Sequence, residues 1–188
     1  MNKVLSILVA ALLSAPAYAA DSYTIDPNHT WPIFEVNHLG YSTQRGRFDK
    51  TSGKIMLDVA AKKGSVDLTI DADSLDMGFA KWNEHMKGGE FFDVAEYPTI
   101  HFTSDKLLFD GDNVVGAEGN FTLLGKTLPL TLHVDGFHCA PFPLTKKMHC
   151  GANISATVLR SQFGMTRYLS MIGDEVKLYS PIEADKDQ

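Results

Sequence analysis

Residues 114–134 read VVGAEGNFTLLGKTLPLTLHV. Val115, Ala117, Phe121 and Leu123 alternate with Glu118, Asn120 and Thr122. Beyond Leu124-Gly125-Lys126 the alternation resumes, with Leu128, Leu130, Leu132 and Val134 set against Thr131 and His133. A period of two turns one face of a strand to an apolar interior and the other to water. The glycine between the two runs then marks a hairpin turn. The LLGKT in the middle looks like the end of a phosphate loop. That motif needs four residues between its glycines and a helix after them. Here five residues separate Gly119 from Gly125, and strand alternation follows. The stretch reads as a β-hairpin.

The same period recurs along the chain. Ile55, Leu57 and Val59 alternate with Lys54, Met56 and Asp58; Val66, Leu68 and Ile70 with Asp67, Thr69 and Asp71. Ile100 and Phe102 are set against His101 and Thr103, and Val176, Leu178 and Ile182 against Glu175, Lys177 and Glu183. Turn sequences KTSG, AKKG, DGDN and LLGK separate the runs, as in a meander of hairpins. Many short strands of this kind point to a sandwich or a barrel, and closure would remove the exposed edges of an open sheet. HTWPIFEVNHLG (29–40) reads as a first strand that is apolar on both faces, suited to lying under a helix or at a subunit contact. One segment breaks the pattern: in residues 76–98, Phe79, Trp82 and Met86 fall at helical spacing before Gly88-Gly89. It reads as one short helix across the end of a barrel, its apolar residues plugging the core or touching a ligand.

The chain opens MNKVLSILVAALLSAPAYAA, with Lys3 before an apolar run and an Ala17-Tyr18-Ala19 cleavage pattern. This is the form of a secretory signal peptide (1–19), cut after Ala19 and leaving one domain over 20–188. The apolar run is shorter than the about 20 residues a membrane span needs. No stable membrane anchor is expected. Loss of Lys3 takes the formal charge from −6 to −7. An acidic surface argues against nucleic acid, which is bound by neutralising phosphates.

Export bears on FHCAPFPLTKKMHCG (137–151), which holds the two cysteines. In an oxidising compartment Cys139 and Cys150 read first as a disulfide pinning a proline-containing loop. Zinc held by the His138-Cys139 and His149-Cys150 pairs is the weaker alternative, because adjacent residues in an extended segment point opposite ways. Free thiols are the third. No hydrolase elbow, haem-attachment or zinc-protease motif occurs, so no catalytic residue and no metal are assigned. The spacing leaves open only a site assembled in three dimensions from His29, His38 and His85.

Five blocks together resemble the YceI family: YTIDPNHTWPIFEVNHLGYSTQRGRF (23–48), WNEHMKGGEFFDVAEYPTIHFTS (82–104), VVGAEGNFTLLGKTLPLTL (114–132), RSQFGM (160–165) and DEVKLYSPIEA (174–184). Asn120-Phe121 stands where the family usually has a leucine, and the histidines beside the cysteines inherit no role. The resemblance implies an all-β fold with one short helix, a lipocalin-like antiparallel β-barrel with an apolar interior channel. It also implies periplasmic export, a possible homodimer, and a long-chain ligand such as a polyisoprenoid, an isoprenoid quinone or a fatty amide. No other cofactor is expected. On this reading Phe34, Val36, Phe48, Phe102, Phe121, Phe163 and Met165 line the tunnel and Phe91 and Phe92 sit near its mouth. His38, Tyr41 or Arg160 would meet a polar headgroup. Two other classes compete: a stress-protective interaction protein with a solid core and no ligand, and a metal-dependent enzyme built on scattered histidines.

Overall fold

The computed structural model describes residues 20–188; the expected leader and its cleavage site lie outside them. The strands are β1 (Asp21–Ile25), β2 (Ile33–His38), β3 (Ser42–Phe48), β4 (Thr51–Asp58), β5 (Lys63–Asp71) and the two-residue β6 (Leu75–Asp76). After helix α1 (Ala80–Lys87) come β7 (Thr99–Asp110), β8 (Asn113–Leu123), β9 (Lys126–Pro141), β10 (Met148–Leu159) and β11 (Ile172–Lys186). Every pairing is antiparallel. The order β1-β4-β5-β7-β8-β9-β10-β11 returns to β1 through Tyr23 opposite Lys186, so eight strands close a barrel. Strands β2, β3 and β6 extend from the upper part of β11, where Phe34 opposes Leu178.

The β8–β9 hairpin turns at Leu124-Gly125, whose φ values of 50° and 70° match the twist of a two-residue turn. The period-two reading slips at one point. It points Val115 inward, but Val114 is the buried residue. Between the pairs Leu108–Gly116 and Phe109–Val114, β8 carries one extra residue, a bulge that exchanges the two faces. A second irregularity, between Thr103 and Lys106, is filled by Ser104, whose hydroxyl donates to the Glu118 carbonyl at 2.7 Å.

Three further expectations are corrected. HTWPIFEVNHLG is not the first strand: DSYTI precedes it, short but with Tyr23 and Ile25 buried. Its faces are not equally buried either. Phe34 is in the core, while Trp31 is only half-buried beneath the Arg47 guanidinium, 5.8 Å from its ring centre. Phe79 does not plug the barrel; it precedes α1, is exposed and stacks on Trp82. Trp82 and Met86 do pack against the core. The segment between the cysteines is a loop over Phe142–Lys147, as expected, and is flanked by strand, with Cys139 opposite Cys150 in the β9–β10 ladder.

Cys139 and Cys150 are bridged. The crosslink closes so short a loop that the chain-entropy estimate is about 3 kcal/mol. Cys139→Ala with Cys150→Ala is expected to lower unfolding free energy by about that amount in denaturant melts. A melt unchanged by reductant in the wild-type chain would contradict it. Gly119 is required for a different reason. A Cβ there would lie 2.2 Å from the Thr103 carbonyl oxygen and 2.7 Å from Cζ of Phe102. Gly119→Ala is therefore expected to cost about 1–3 kcal/mol by overpacking, read as a lower denaturation midpoint.

Candidate functional site

The barrel is not solid. Two chambers lie along its axis. The first is bounded by β2, β3, β5, β7, β8, β9, β10 and β11 and by the segment from Met86 to Phe92. It encloses about 1160 Å³ of atom-free space, counting the space at its opening. The second encloses about 750 Å³ on the same count, and reaches toward Cys150, Gly151 and Tyr23 at the disulfide end. The chambers share five lining residues: Leu68, Phe102, Leu132, Ile154 and Ile182. This aliphatic and aromatic waist comes from β5, β7, β9, β10 and β11, with Leu68 directly opposite Phe102 in the ladder.

The sequence builds the upper wall in a local way. Helix α1 ends at Lys87, and the following turn folds back through hydrogen bonds from Phe92 N–H to the Met86 carbonyl and Val94 N–H to the Lys87 carbonyl. That turn inserts Phe91 and Phe92. Phe92 meets Phe34 at 5.5 Å and the edge of Phe48 at 5.4 Å between ring centres. Phe91 meets His85 edge-on at 4.9 Å and the tilted ring of Tyr168 at 6.4 Å between ring centres.

Eight residues expected along the channel or at its mouth border the first chamber: Phe34, Val36, Phe48, Phe91, Phe92, Phe102, Phe121 and Met165. Phe163 does not. It is buried, but its ring meets Phe121 edge-on at 5.5 Å and reaches neither chamber. The headgroup residues fare differently. Tyr41 is 89% exposed in the turn before β3, and His38 ends β2; neither borders a chamber. Arg160 does border the first chamber and is buried. Four of its five N–H donors are already engaged: Nε with the Gly173 carbonyl, Nη1 with those of Met165 and Arg167, and Nη2 with that of Ile172. Burial lowers its pKa, opposed by the nearby Asp174 carboxylate. Its main task is to hold residues 165–173, which carry Met165 and Ile172 into the wall.

The rest of the lining is aliphatic. Leu68, Leu132 and Ile182 stand at inward positions of the alternating runs, but nothing in a run of inward aliphatics separates a cavity wall from a filled core. Apart from Arg160 and Ser180 in the first chamber and Glu183 in the second, almost all side chains at the walls are apolar. Such a surface sequesters hydrocarbon and offers little directional chemistry. The trio left open by the spacing, His29, His38 and His85, does not assemble: His38 pairs with Ser42 and Ile172 across the sheet, and His85 meets Phe91 edge-on. Among the described residues, no helix is long and apolar enough to cross a membrane.

Residues 23–184 match the family model described as YceI-like domain. A UPF0312 protein of Vibrio vulnificus is 37% identical over 139 residues, covering 70% of this chain and 72% of its own. A UPF0312 protein of Enterobacter sp. is 33% identical over 189 residues, covering 97% and 96%. Among solved structures, BcnA of Burkholderia cenocepacia superposes with a TM-score of 0.69 at 23% identity, over 85% of this chain and 98% of its own. A polyisoprenoid binding domain from Saccharophagus degradans gives 0.64 at 17% identity, over 90% and 100%.

Proposed function

The chain belongs to the YceI-like domain family, and on that premise we propose that it is a periplasmic carrier for a long-chain apolar lipid, acting without catalysis. The observation that carries the reading is the pair of apolar chambers meeting at one waist. A long hydrocarbon tail is nearly insoluble, and a dry sleeve is what its passage through water requires. An extended tail threads both chambers; a compact ligand fills only one. For a tail of about 40 heavy atoms, about 0.3 kcal/mol per atom sets a ceiling near about 12 kcal/mol, so tight binding needs no polar anchor. The polyisoprenoid binding named for the Saccharophagus degradans domain supports an isoprenoid over a fatty amide as the ligand class. The alternative of a solid, ligand-free core is disfavoured by the chambers themselves. Export through the leader expected at residues 1–19 supplies the compartment.

The test is loading. Delipidated protein is incubated with an isoprenoid quinone whose tail has about 40 carbons, and quinone eluting with the protein on gel filtration is quantified. One quinone per chain is the expected result. Retention no greater than that of a cavity-free β protein would overturn the reading.

A further inference from the structure

The disulfide end of the barrel carries chemistry that lipid binding does not use. Residues 26–30, between β1 and β2, fold into a turn in which Asn28 N–H donates to Asp26 Oδ1 at 2.9 Å. Thr30, 1% exposed, fastens this turn to β11. Its hydroxyl donates to the Glu183 carbonyl at 3.3 Å and accepts from Glu183 N–H at 3.0 Å. Asp26 N–H donates to the same carbonyl at 2.9 Å. The backbone therefore fixes Asp26 and His29 beside Glu183. His29 Nδ1 lies 2.7 Å from Asp26 Oδ2 and 3.7 Å from Glu183 Oε2, and one ligand atom from each of the three residues falls within 4.8 Å of the others.

A second histidine reaches the same carboxylate oxygen. His149 opposes Asp185 in the β10–β11 ladder, with its Nδ1 2.8 Å from Asp185 Oδ1 and its Nε2 2.9 Å from Glu183 Oε2. Its side chain is only 14% exposed, and Phe142 covers the ring at 5.1 Å. An imidazole with one proton cannot donate to both carboxylates. Protonated on both nitrogens, the ring donates to both, and His149 bridges Asp185 and Glu183. Glu183 Oε2 is thus addressed by two imidazole nitrogens, with Asp26 alongside. One imidazole nitrogen and two carboxylate oxygens, from His29, Asp26 and Glu183, are a donor set for zinc with bonds of about 2.0–2.2 Å. A group hydrogen-bonded behind a ligating carboxylate is the usual device for orienting it.

We propose that Asp26, His29 and Glu183 bind one zinc ion, with His149, held in turn by Asp185, as the residue that positions Glu183. The ion clasps the turn after β1 to β11, next to the point where the disulfide joins β9 to β10. Three protein donors leave the fourth position of the tetrahedron to water. The site departs from the expectation of no metal; of the histidines weighed there for a metal only His29 is a ligand, and His149 takes part without Cys150.

The test uses purified protein stripped by chelator and titrated with zinc chloride by calorimetry, then with cobalt(II) for its absorption spectrum. One ion per chain is expected, with the intense visible bands of tetrahedral cobalt. His29→Ala and Glu183→Gln should each weaken zinc by about 100-fold or more, and His149→Gln by about 10–100-fold. His29 is largely exposed, so its variant folds irrespective of the site. His101→Ala, whose imidazole pairs with Asp67 elsewhere, should bind as wild type. No uptake at about 100-fold molar excess of zinc would overturn the proposal. Equal affinity in wild type, His29→Ala and Glu183→Gln would do so too.

Discussion

Ile154→Trp is expected to make binding depend on tail length rather than to abolish it. Ile154 borders both chambers, with Phe102 and Ile182 among the other residues of the waist. An indole there fills the passage and leaves the upper part of the first chamber open. A short isoprenoid that fits the first chamber keeps its contacts. A long one loses those of its far segment. If about 15 atoms are excluded at about 0.3 kcal/mol each, the loss is about 4.5 kcal/mol, roughly a thousandfold in affinity. The comparison to make is the dissociation constants of tails of about 10 and about 40 carbons, in wild type and variant. The substitution has room to extend into the chamber, so its fold cost stays within the about 1–3 kcal/mol of ordinary overpacking, and a thermal melt checks this. Equal losses for the two tails would mean that the chambers do not act in series.

Arg160→Met is expected to be the most damaging single change to stability. Methionine fills much of the same volume but supplies no hydrogen. The carbonyls of Met165, Arg167, Ile172 and Gly173 then lose their donor together. Each unsatisfied buried polar group costs about 1–3 kcal/mol. Water reaches some of them once the loop loosens, so a net loss of about 3–5 kcal/mol is expected. For a domain of this size that is a fall in Tm of about 10 °C or more. Arg160→Lys should recover little, because a single ammonium cannot span four carbonyls arranged around a planar fork. Ligand affinity should fall in parallel, since Met165 and Ile172 ride on the released segment. A melting curve for Arg160→Met within a degree or two of wild type would show that the loop is held by other contacts.

These two residues also mark where the sequence was readable and where it was not. The hairpin over residues 114–134 was plain, because alternation and a Leu-Gly turn agree. Its one error, Val115 for Val114, came from a bulge, and a bulge leaves no trace in a period of two. The aromatic wall was found because phenylalanines at inward positions are conspicuous. Ile154, Leu68 and Leu132 were not singled out, since an inward aliphatic looks the same beside a void as beside another side chain. Arg160 could be suspected as a headgroup contact only by its charge. Its four carbonyl partners lie 5 to 13 residues away in an irregular loop that no pattern describes. The disulfide followed from the expected export and from having just two cysteines. That His149 and Cys150 point opposite ways was also correct, but the partners of His149, Glu183 and Asp185, are more than thirty residues distant. A cluster of that kind is created by strand order, which composition and spacing do not reveal.

The central claim is that the bore holds a long apolar lipid, and native mass spectrometry addresses it most directly. The protein is purified from its native cells without detergent, and its intact mass is compared before and after denaturation. The account expects a noncovalent adduct of lipid mass, one per chain, released on denaturation and soluble in organic solvent. A bare chain in the native spectrum that also fails to take up added isoprenoid quinone would contradict it.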